Sequence, residues 1–362
     1  MNFNSMQWFD SSVLIWAGIS LLLNGIIAYL WHEKFYLKLG LKRYQAIQRI
    51  HLNETPRLGG LILLVSLFGY LVSSDSSESV TILKLILICL IPIMLIGLKE
   101  DLFHNVAPLT RLISLFFVAW LFLENFTGPL AKLSDVPILE KLFLLQGGLS
   151  FFYILSMVTI ANGMNLIDGV NGLCGAVSLS ILSALLFVSY KTGDIVMLSL
   201  IYSFILLLIS FILVNYPFGR IFLGDLGAYS LGLIASMLTI ILFGRHPEIS
   251  PWGAVLILIY PATEIIFSLF RRFIIRVSVF KPDTSHLHLK LYNFLRSEVR
   301  HKRVANALVM PALCLLWLYP AFVFTWAYQK PLFICIGITF FIVFYSIVYL
   351  LIPDMPKKLV RN

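Results

Sequence analysis

The sequence has little charge. Asp, Glu, Lys and Arg make up only 12% of its 362 residues, whereas about 25% is usual in a soluble domain. Hydrophobic residues make up 59% of the chain, and its mean hydropathy is +0.92. This composition excludes an ordinary soluble protein. It predicts one integral membrane domain over residues 1–362, with no separate soluble domain.

Cysteine is also scarce. The chain has four cysteines, and each lies inside an apolar run: Cys89, Cys174, Cys314 and Cys335. Such cysteines behave as small apolar side chains, so the sequence predicts neither a disulfide framework nor a cysteine metal site. The opening stretch MNFNSMQWFD has no basic residues, so we expect no cleaved signal peptide.

Long apolar runs fill most of the chain, and they predict an all-α polytopic helix bundle. Runs of about 17–25 apolar residues are typical of membrane-spanning helices. We expect about eleven spans, at 12–30, 58–74, 80–98, 108–123, 148–161, 173–190, 195–214, 226–243, 251–270, 306–327 and 331–351.

The basic residues are distributed unevenly between alternate loops. Loops on one side carry 21 Lys and Arg residues, and loops on the other side carry five. The positive-inside rule places the first set in the cytoplasm, with the N-terminus outside and the C-terminus inside. The net charge of +9 is then a topology signal, and no nucleic-acid partner is expected.

The unusual polar motifs all lie on the basic side. They are HLNETPRLGG (51–60), GLKEDL (97–102), NGMNLIDGVNG (162–172), FLGDLG (222–227) and KPDTSHLHLKL (281–291), the last within the large cytoplasmic loop 271–305. The chemistry is therefore expected at the cytoplasmic ends of the helices.

Four acids fall at these helix ends: Glu100, Asp101, Asp168 and Asp225. Any one of them could simply cap a helix. Four carboxylates in one cleft would repel each other unless a cation or a proton intervened. Carboxylate oxygens suit Mg²⁺, with Mn²⁺ as the alternative, and bound Mg²⁺ usually completes its shell with water and substrate phosphates.

The stretch NGMNLIDGVNGLCG (162–175) places Asn or Asp at every third position. Its glycines would let backbone approach a ligand closely, although they would equally suit a close contact between helices. The amide and acid side chains beside them favour a ligand site.

His286 and His288 are two residues apart, in a loop rich in basic residues, which favours phosphate binding over a zinc site. The residues from Leu287 onward have helical spacing and predict a short amphipathic interfacial helix. Glu264 lies within the ninth span, where we expect a structural role, with pairing to Arg271 and Arg272 as one option.

Taken together, these motifs resemble those of the polyprenyl-phosphate N-acetylhexosamine-1-phosphate transferases, which include the phospho-N-acetylmuramoyl-pentapeptide translocase. The resemblance runs over residues 51–291 in the family's order. TPRLGG resembles its Pro-Arg-Gly-Gly loop, GLKEDL its Asp-Asp motif, and NLIDGVNGL its Asn-Leu-x-Asp-Gly motif. FLGDLG and the Arg-Arg and His-x-His segment complete the set. The chain departs from the pattern at Glu100, Asn171, Glu264, Thr284 and Leu289.

This resemblance implies that a UDP-N-acetylhexosamine and undecaprenyl phosphate react to give undecaprenyl-diphospho-N-acetylhexosamine and UMP. The product would begin a cell-envelope glycan such as O-antigen or teichoic acid. The expected location is the bacterial cytoplasmic membrane, with a homodimer as a candidate assembly. The implied catalytic residues are Glu100, Asp101, Asp168 and Asp225. The implied Mg²⁺ ligands are Asp225, Asp101 and Asp168. The implied substrate-binding residues are Arg57, Asn165, Asn171, His286 and His288.

Three alternatives remain open at this point. One is a phospho-N-acetylmuramoyl-pentapeptide transferase within the same family. A transporter would require polar sites near the bilayer midplane and a repeat between the two halves of the chain. A scaffold without activity is suggested by the lost charge at Asn171 and the lost imidazole at Leu289.

Overall fold

The computed structural model describes residues 10–32, 55–132, 137–278, 283 and 285–353, and these residues form helices and no strands. The helices are α1 (Ser12–His32), α2 (Gly59–Ser73), α3 (Glu78–Phe103), α4 (Pro108–Asn125), α5 (Pro137–Leu144), α6 (Gly148–Ile167), α7 (Leu173–Thr192), α8 (Ile195–Asn215), α9 (Gly224–Arg245), α10 (Trp252–Ile257), α11 (Ile259–Ile274), α12 (Leu287–Glu298), α13 (Lys302–Ala312), α14 (Cys314–Ala327) and α15 (Pro331–Leu351).

The predicted all-α polytopic membrane fold is confirmed. Nine helices in the described residues are long and apolar enough to cross a membrane, with α13 and α14 together forming one 26-residue span. The two other predicted spans correspond to the 15-residue helix α2 and to the α10–α11 pair, which is interrupted at Leu258. That all eleven cross the membrane, and that the N-terminus lies outside, stay predictions.

Helix α9 lies at the centre of the bundle. Every residue from Gly224 to Phe243 is buried, and the helix packs against α6, α3 and α2. The outer helices α1 and α15 instead expose many apolar side chains, as expected where lipid replaces water as the surrounding solvent. Helix α9 is therefore enclosed by these other helices.

The chain before α2 pairs with the chain before α9. The amides of Gly59 and Gly60 donate to the carbonyls of Phe222 and Leu223 at 2.8 and 3.1 Å, and the amide of Phe222 donates to the carbonyl of Pro56 at 2.9 Å. These bonds satisfy amides that the start of α2 would otherwise leave without partners. They also bring Arg57 next to the first turn of α9.

The Gly- and Asn-rich stretch differs from its prediction. Helix α6 continues to Ile167, six residues beyond the predicted end of the fifth span. Gly163 packs directly against the backbone of Pro261, and side chains at Gly172 and Gly175 would meet Tyr216 and Ile212. At these three positions the small residue serves contact between chain segments, as the alternative of a close helix contact requires.

Helix α12 is present where the sequence predicts one. Its first six residues, from Leu287 to Tyr292, are all buried. The predicted interfacial placement is therefore wrong for this half of the helix, because it packs into the bundle and carries His288 inward.

Candidate active site

Three of the predicted acids meet at one end of the bundle. Asp101 lies in the last turn of α3, Asp168 directly follows α6, and Asp225 lies in the first turn of α9. Arg57 joins two of them, with its Nη2 2.8 Å from Asp225 Oδ1 and its Nε 3.4 Å from Asp101 Oδ1. Asp168 is close enough to interact electrostatically with Arg57 and with both other acids.

Asp101 caps the buried helix α9. Its Oδ1 accepts the amide of Asp225 at 2.8 Å, and its Oδ2 accepts the amide of Leu226 at 3.0 Å. The residue preceding α9, Leu223, provides no side-chain cap, so these amides need an acceptor from elsewhere. Gly224 has φ of +74°, and a side chain there would collide with the Asp101 carboxylate. The structure therefore gives Asp101 a positioning role, and the predicted ligand role finds no support in its geometry.

Asp225 lies between two arginines. Arg57 holds Oδ1, and Arg111 Nη1 lies 2.5 Å from Oδ2. Burial opposes the charge on Arg57, but Asp225 and Asp101 outweigh it and raise the Arg57 pKa above its usual value. Sequence reasoning missed Arg111. Its only signal was its position as a basic residue in the first turn of α4, on the same side as the acids.

Asp168 completes the acidic cluster. Burial raises its pKa well above the usual range; Asp101 and Asp225 add to this effect, and Arg57 offsets part of it. Crowded carboxylates of this kind are stabilised by a cation. Within the described part of the chain, no group of three His, Cys, Asp or Glu side chains is arranged to hold a metal ion. One or two carboxylates with substrate phosphates suffice for Mg²⁺, so an ion held by Asp225 and Asp168 stays a prediction.

Glu100 lies at the edge of this cluster. Its Oε2 accepts the amide of Val106 at 2.8 Å, just beyond the end of α3. Its Oε1 lies 4.0 Å from Arg111 Nη1. Glu100 therefore faces the same arginine as Asp225, and one of its oxygens has no hydrogen bond to the backbone of this turn.

The two predicted amide residues have different surroundings. The Nδ2 of Asn165 donates to the hydroxyl of Tyr229 at 3.1 Å, beside the first turns of α9. Asn171 is buried, and its Nδ2 donates to the carbonyl of Pro217 at 2.8 Å while its own amide donates to Asn306. Asn171 thus links three chain segments, and the geometry does not support its predicted contact with substrate.

The predicted histidines form a second buried cluster. His286 and His288 lie on either side of the Glu264 carboxylate, with nearest N–O distances of 3.7 and 3.9 Å. Burial lowers the pKa of His288, and Glu264 offsets part of this effect. Glu264 therefore pairs with the histidines rather than with the arginines of its own helix.

Arg271 and Arg272, near the end of α11, bind Asp283 instead of Glu264. Arg271 contacts Asp283 Oδ2 directly, and Arg272 Nε lies 3.3 Å from the same atom. Ser268 and the amide of Ser285 also donate to Asp283. Burial opposes its charge, but these donors and His286 outweigh that effect and lower the Asp283 pKa to about 2. Sequence reasoning did not assign Asp283 a role. The structure shows that Asp283 anchors the segment around His286 and His288 (the histidine loop) to α11.

The two clusters meet at the turn after α6. A side chain at Gly169 would come within 2.9 Å of His288 Nε2, and Gly169 directly follows Asp168 in the sequence. The acids and the histidines therefore border one site. Of the positions named from the sequence, residues 51–54 and 281–282 of the motifs and Thr284 lie outside the described residues.

Comparisons with known proteins give one family match and several relatives. Residues 83–243 match the family model described as glycosyl transferase family 4. The chain is 29% identical over 266 residues to a probable undecaprenyl-phosphate N-acetylglucosaminyl 1-phosphate transferase of Bacillus subtilis, covering 72% of each chain. It is 29% identical over 203 residues to the undecaprenyl-phosphate alpha-N-acetylglucosaminyl 1-phosphate transferase of Thermotoga maritima, covering 55% of this chain and 58% of the relative.

A third relative is named for a different activity. The chain is 27% identical over 255 residues to a phospho-N-acetylmuramoyl-pentapeptide-transferase of Streptococcus pneumoniae, covering 65% of this chain and 74% of the relative. The segment matched by the family model contains all four predicted acids and Arg111. It ends before Glu264 and the histidine loop.

Proposed function

We propose that this chain, whose residues 83–243 match the glycosyl transferase family 4 model, transfers N-acetylhexosamine 1-phosphate from a UDP-sugar to undecaprenyl phosphate. The observation that carries this proposal is the meeting of Asp101, Asp168 and Asp225 with Arg57 and Arg111 at one end of a membrane helix bundle. A site at helix ends is accessible both to a lipid phosphate at the interface and to a soluble nucleotide sugar. A transporter would instead need its polar site near the bilayer midplane.

The reaction is a displacement at phosphorus. An oxygen of the lipid phosphate attacks the phosphorus that carries the sugar, and the bond from that phosphorus to the oxygen of UMP breaks. UMP leaves with the electron pair, and the product is undecaprenyl-diphospho-sugar. Such transfers depend on in-line positioning and charge neutralisation more than on covalent help from the protein.

The arginines and acids supply these two requirements. Arg57 and Arg111 present guanidinium groups that suit phosphate oxygens, and Asp101 fixes the turn that carries Asp225. Because the second pKa of a phosphate is near 6, the lipid phosphate needs little help to lose its proton. Glu100 is our candidate for accepting that proton, and Asn165, His286 and His288 are retained as substrate contacts.

We propose Mg²⁺ as the cofactor, with Mn²⁺ as the alternative, held by Asp225 and Asp168. When bound, the ion would neutralise charge on the diphosphate and on the departing UMP. Both arginines now paired with Asp225 would then be free to contact phosphate.

The metal assignment is tested by Asp225→Asn. We expect turnover at saturating Mg²⁺ to fall by about a hundredfold or more. We also expect weaker Mn²⁺ binding, measured by electron paramagnetic resonance on the purified protein. Unchanged Mn²⁺ affinity and near-normal turnover in the folded variant would contradict the assignment.

The reaction itself is tested with purified protein in lipid nanodiscs. Undecaprenyl phosphate is incubated with UDP-N-acetylglucosamine, UDP-N-acetylgalactosamine or UDP-N-acetylmuramoyl-pentapeptide, and UMP and the lipid product are measured. We expect turnover with at least one of the two simple sugars. Turnover with the pentapeptide donor alone would favour the activity for which the Streptococcus pneumoniae relative is named, and no turnover with any donor would overturn the proposal.

We further propose that the protein works in a bacterial cytoplasmic membrane with the site facing the cytoplasm. There the product would start a cell-envelope glycan such as O-antigen or teichoic acid. A homodimer is also proposed, and crosslinking of the protein in native membranes would test it.

A further inference from the structure

Glu264 is a buried carboxylate that the proposed reaction does not yet use. It lies on α11 with 1% of its surface exposed, and His286 and His288 beside it are 5% and 1% exposed. Each of its oxygens faces a different imidazole. Oε2 lies 3.7 Å from Nδ1 of His286, and Oε1 lies 3.9 Å from Nδ1 of His288.

The two rings are held in a common orientation. Their planes differ by 8°, and their centroids are 5.8 Å apart. The Glu264 oxygens and both Nδ1 atoms form no hydrogen bond in the described part of the chain. A carboxylate in apolar surroundings requires a partner that supplies hydrogen-bond donors, and the two Nδ1 atoms are the nearest ion-pairing groups. In enzymes without ligand such contacts are often long and shorten when substrate binds.

The orientation of His288 has a direct consequence for the site. When Nδ1 of an imidazole faces a carboxylate, Nε2 points away from it. Among the residues that the structure describes, the buried Nε2 of His288 has no hydrogen-bond partner, and a side chain at Gly169 would come within 2.9 Å of it. This nitrogen is therefore directed at the turn that carries Asp168.

We propose that Glu264 is a positioning residue that accepts the Nδ1–H of both histidines and so directs Nε2 of His288 at the nucleotide sugar. This inference rests on the proposed function for the identity of the ligand. With Nδ1 protonated, Nε2 accepts a hydrogen bond when the ring is neutral and donates one to a phosphate oxygen when the ring is charged. Glu264 therefore acts through the histidine and does not touch the ligand itself. A carboxylate that hydrogen-bonds the second ring nitrogen of a metal-bound histidine orients that histidine in the same way.

The C-terminal helix supports the same arrangement. Tyr345 on α15 interacts with Glu264, and the hydroxyl of Tyr349 donates to the carbonyl of Ser285 at 3.0 Å, directly before His286. Helix α15 lies outside the segment matched by the family model, yet its Tyr349 contacts Ser285 and Lys290, which lie on either side of the two histidines. The positioning network therefore joins α11, the histidine loop and α15.

The first test uses the wild-type protein and does not depend on activity. Nitrogen-15 NMR of the histidine side chains in the full-length protein, assigned with single His→Gln variants, reports which ring nitrogen carries a proton. We expect Nδ1 of both His286 and His288 to be protonated at neutral pH. An unprotonated Nδ1 in either ring would overturn the inference.

The second test compares Glu264→Gln with Glu264→Asp. Glutamine keeps one oxygen acceptor and turns an amide donor toward the other imidazole, so we expect kcat/KM for the UDP-sugar to fall about 10–100-fold. Aspartate keeps two acceptors, so it should restore most of the lost activity. Glu248→Gln is the matched control, because Glu248 pairs with His246 on the exposed surface of the other end of the bundle, and its activity should not change.

The outcomes separate the two proposals. Wild-type kcat/KM in Glu264→Gln, or an equal loss in a folded Glu264→Asp, would overturn the positioning role. If Glu264→Gln fails to fold, Glu264→Asp and the wild-type NMR spectrum still decide whether Glu264 positions the histidines. If wild-type protein shows no transfer with any UDP-sugar, the proposed function fails, while the NMR result still decides whether Glu264 orients the histidines.

Discussion

At the scale of single residues, neighbouring acids have different tasks because of where the backbone places them. Asp101 and Glu100 are adjacent, yet Asp101 faces the amides at the start of α9 and Glu100 faces Val106 and Arg111. The sequence correctly predicted that acids gather at the helix ends. It could not divide their roles, because the capped amides belong to a helix more than 120 residues away.

Asp101→Asn tests the capping role. Asparagine keeps one acceptor but turns an amide donor toward the second backbone amide, and loss of a cap typically costs about 0.5–2 kcal/mol. We expect a lower thermal midpoint together with lower turnover, because the turn carrying Asp225 loosens. A lost turnover with an unchanged thermal midpoint would instead support the predicted ligand role.

At the scale of elements, close contacts of small residues fix the helix that carries Asp225. Gly60 on α2 packs directly against the backbone of Gly227 on α9, and a side chain at Gly97 on α3 would come within 2.6 Å of Leu226. In a membrane, helices gain from such close approach because burial of apolar surface contributes little there. Hydropathy locates these helices, but it does not show which faces touch. For that reason the sequence left two uses open for the glycines of the 162–175 stretch.

Gly60→Ala tests the α2–α9 contact. The added methyl group would collide with the Gly227 backbone, and overpacking of this kind typically costs about 1–3 kcal/mol. We expect lower thermal stability and reduced turnover, since Arg57 lies just before α2. Gly25→Ala is the matched control, because a side chain there meets none of the described residues within 4 Å. Equal stability of the two variants would contradict the packing.

At the scale of the whole molecule, the end opposite the acids is held by an ion network. Asp194 accepts the amide of Met197 at 3.0 Å and binds Arg245 and His246, and Arg245 also reaches Glu78 at 2.6 Å. This network joins the ends of α3, α8 and α9 that lie opposite the acidic cluster. Sequence reasoning treated Arg245 only as one of the few basic residues on this side.

The Asp194 network predicts a pH dependence of stability. Burial alone would raise the Asp194 pKa, but the hydrogen bonds from Arg245 and Met197 outweigh it and lower that pKa. A lowered folded-state pKa stabilises the protein above the unfolded value near 4 and loses this effect as pH falls through the folded value. Asp194→Asn should therefore be less thermally stable than wild type at pH 7, and the difference should shrink as pH falls below about 4. A difference that stays constant well below pH 4 would contradict the prediction.

The uneven distribution of basic residues predicts the orientation of the whole bundle. Cysteine labelling can test this prediction. Ser76 and Ser297 are both exposed, and they lie in loops that the positive-inside rule assigns to opposite sides. In a variant with the four native cysteines replaced by alanine, a single cysteine at Ser76 should react with an impermeant maleimide in intact cells. A single cysteine at Ser297 should react only after the cells are permeabilised.

Because Ser297 lies on α12, which begins at the histidine loop, its protection would also place the candidate active site in the cytoplasm. Labelling of Ser297 alone in intact cells would reverse the orientation and leave a cytoplasmic nucleotide sugar without access to the acids.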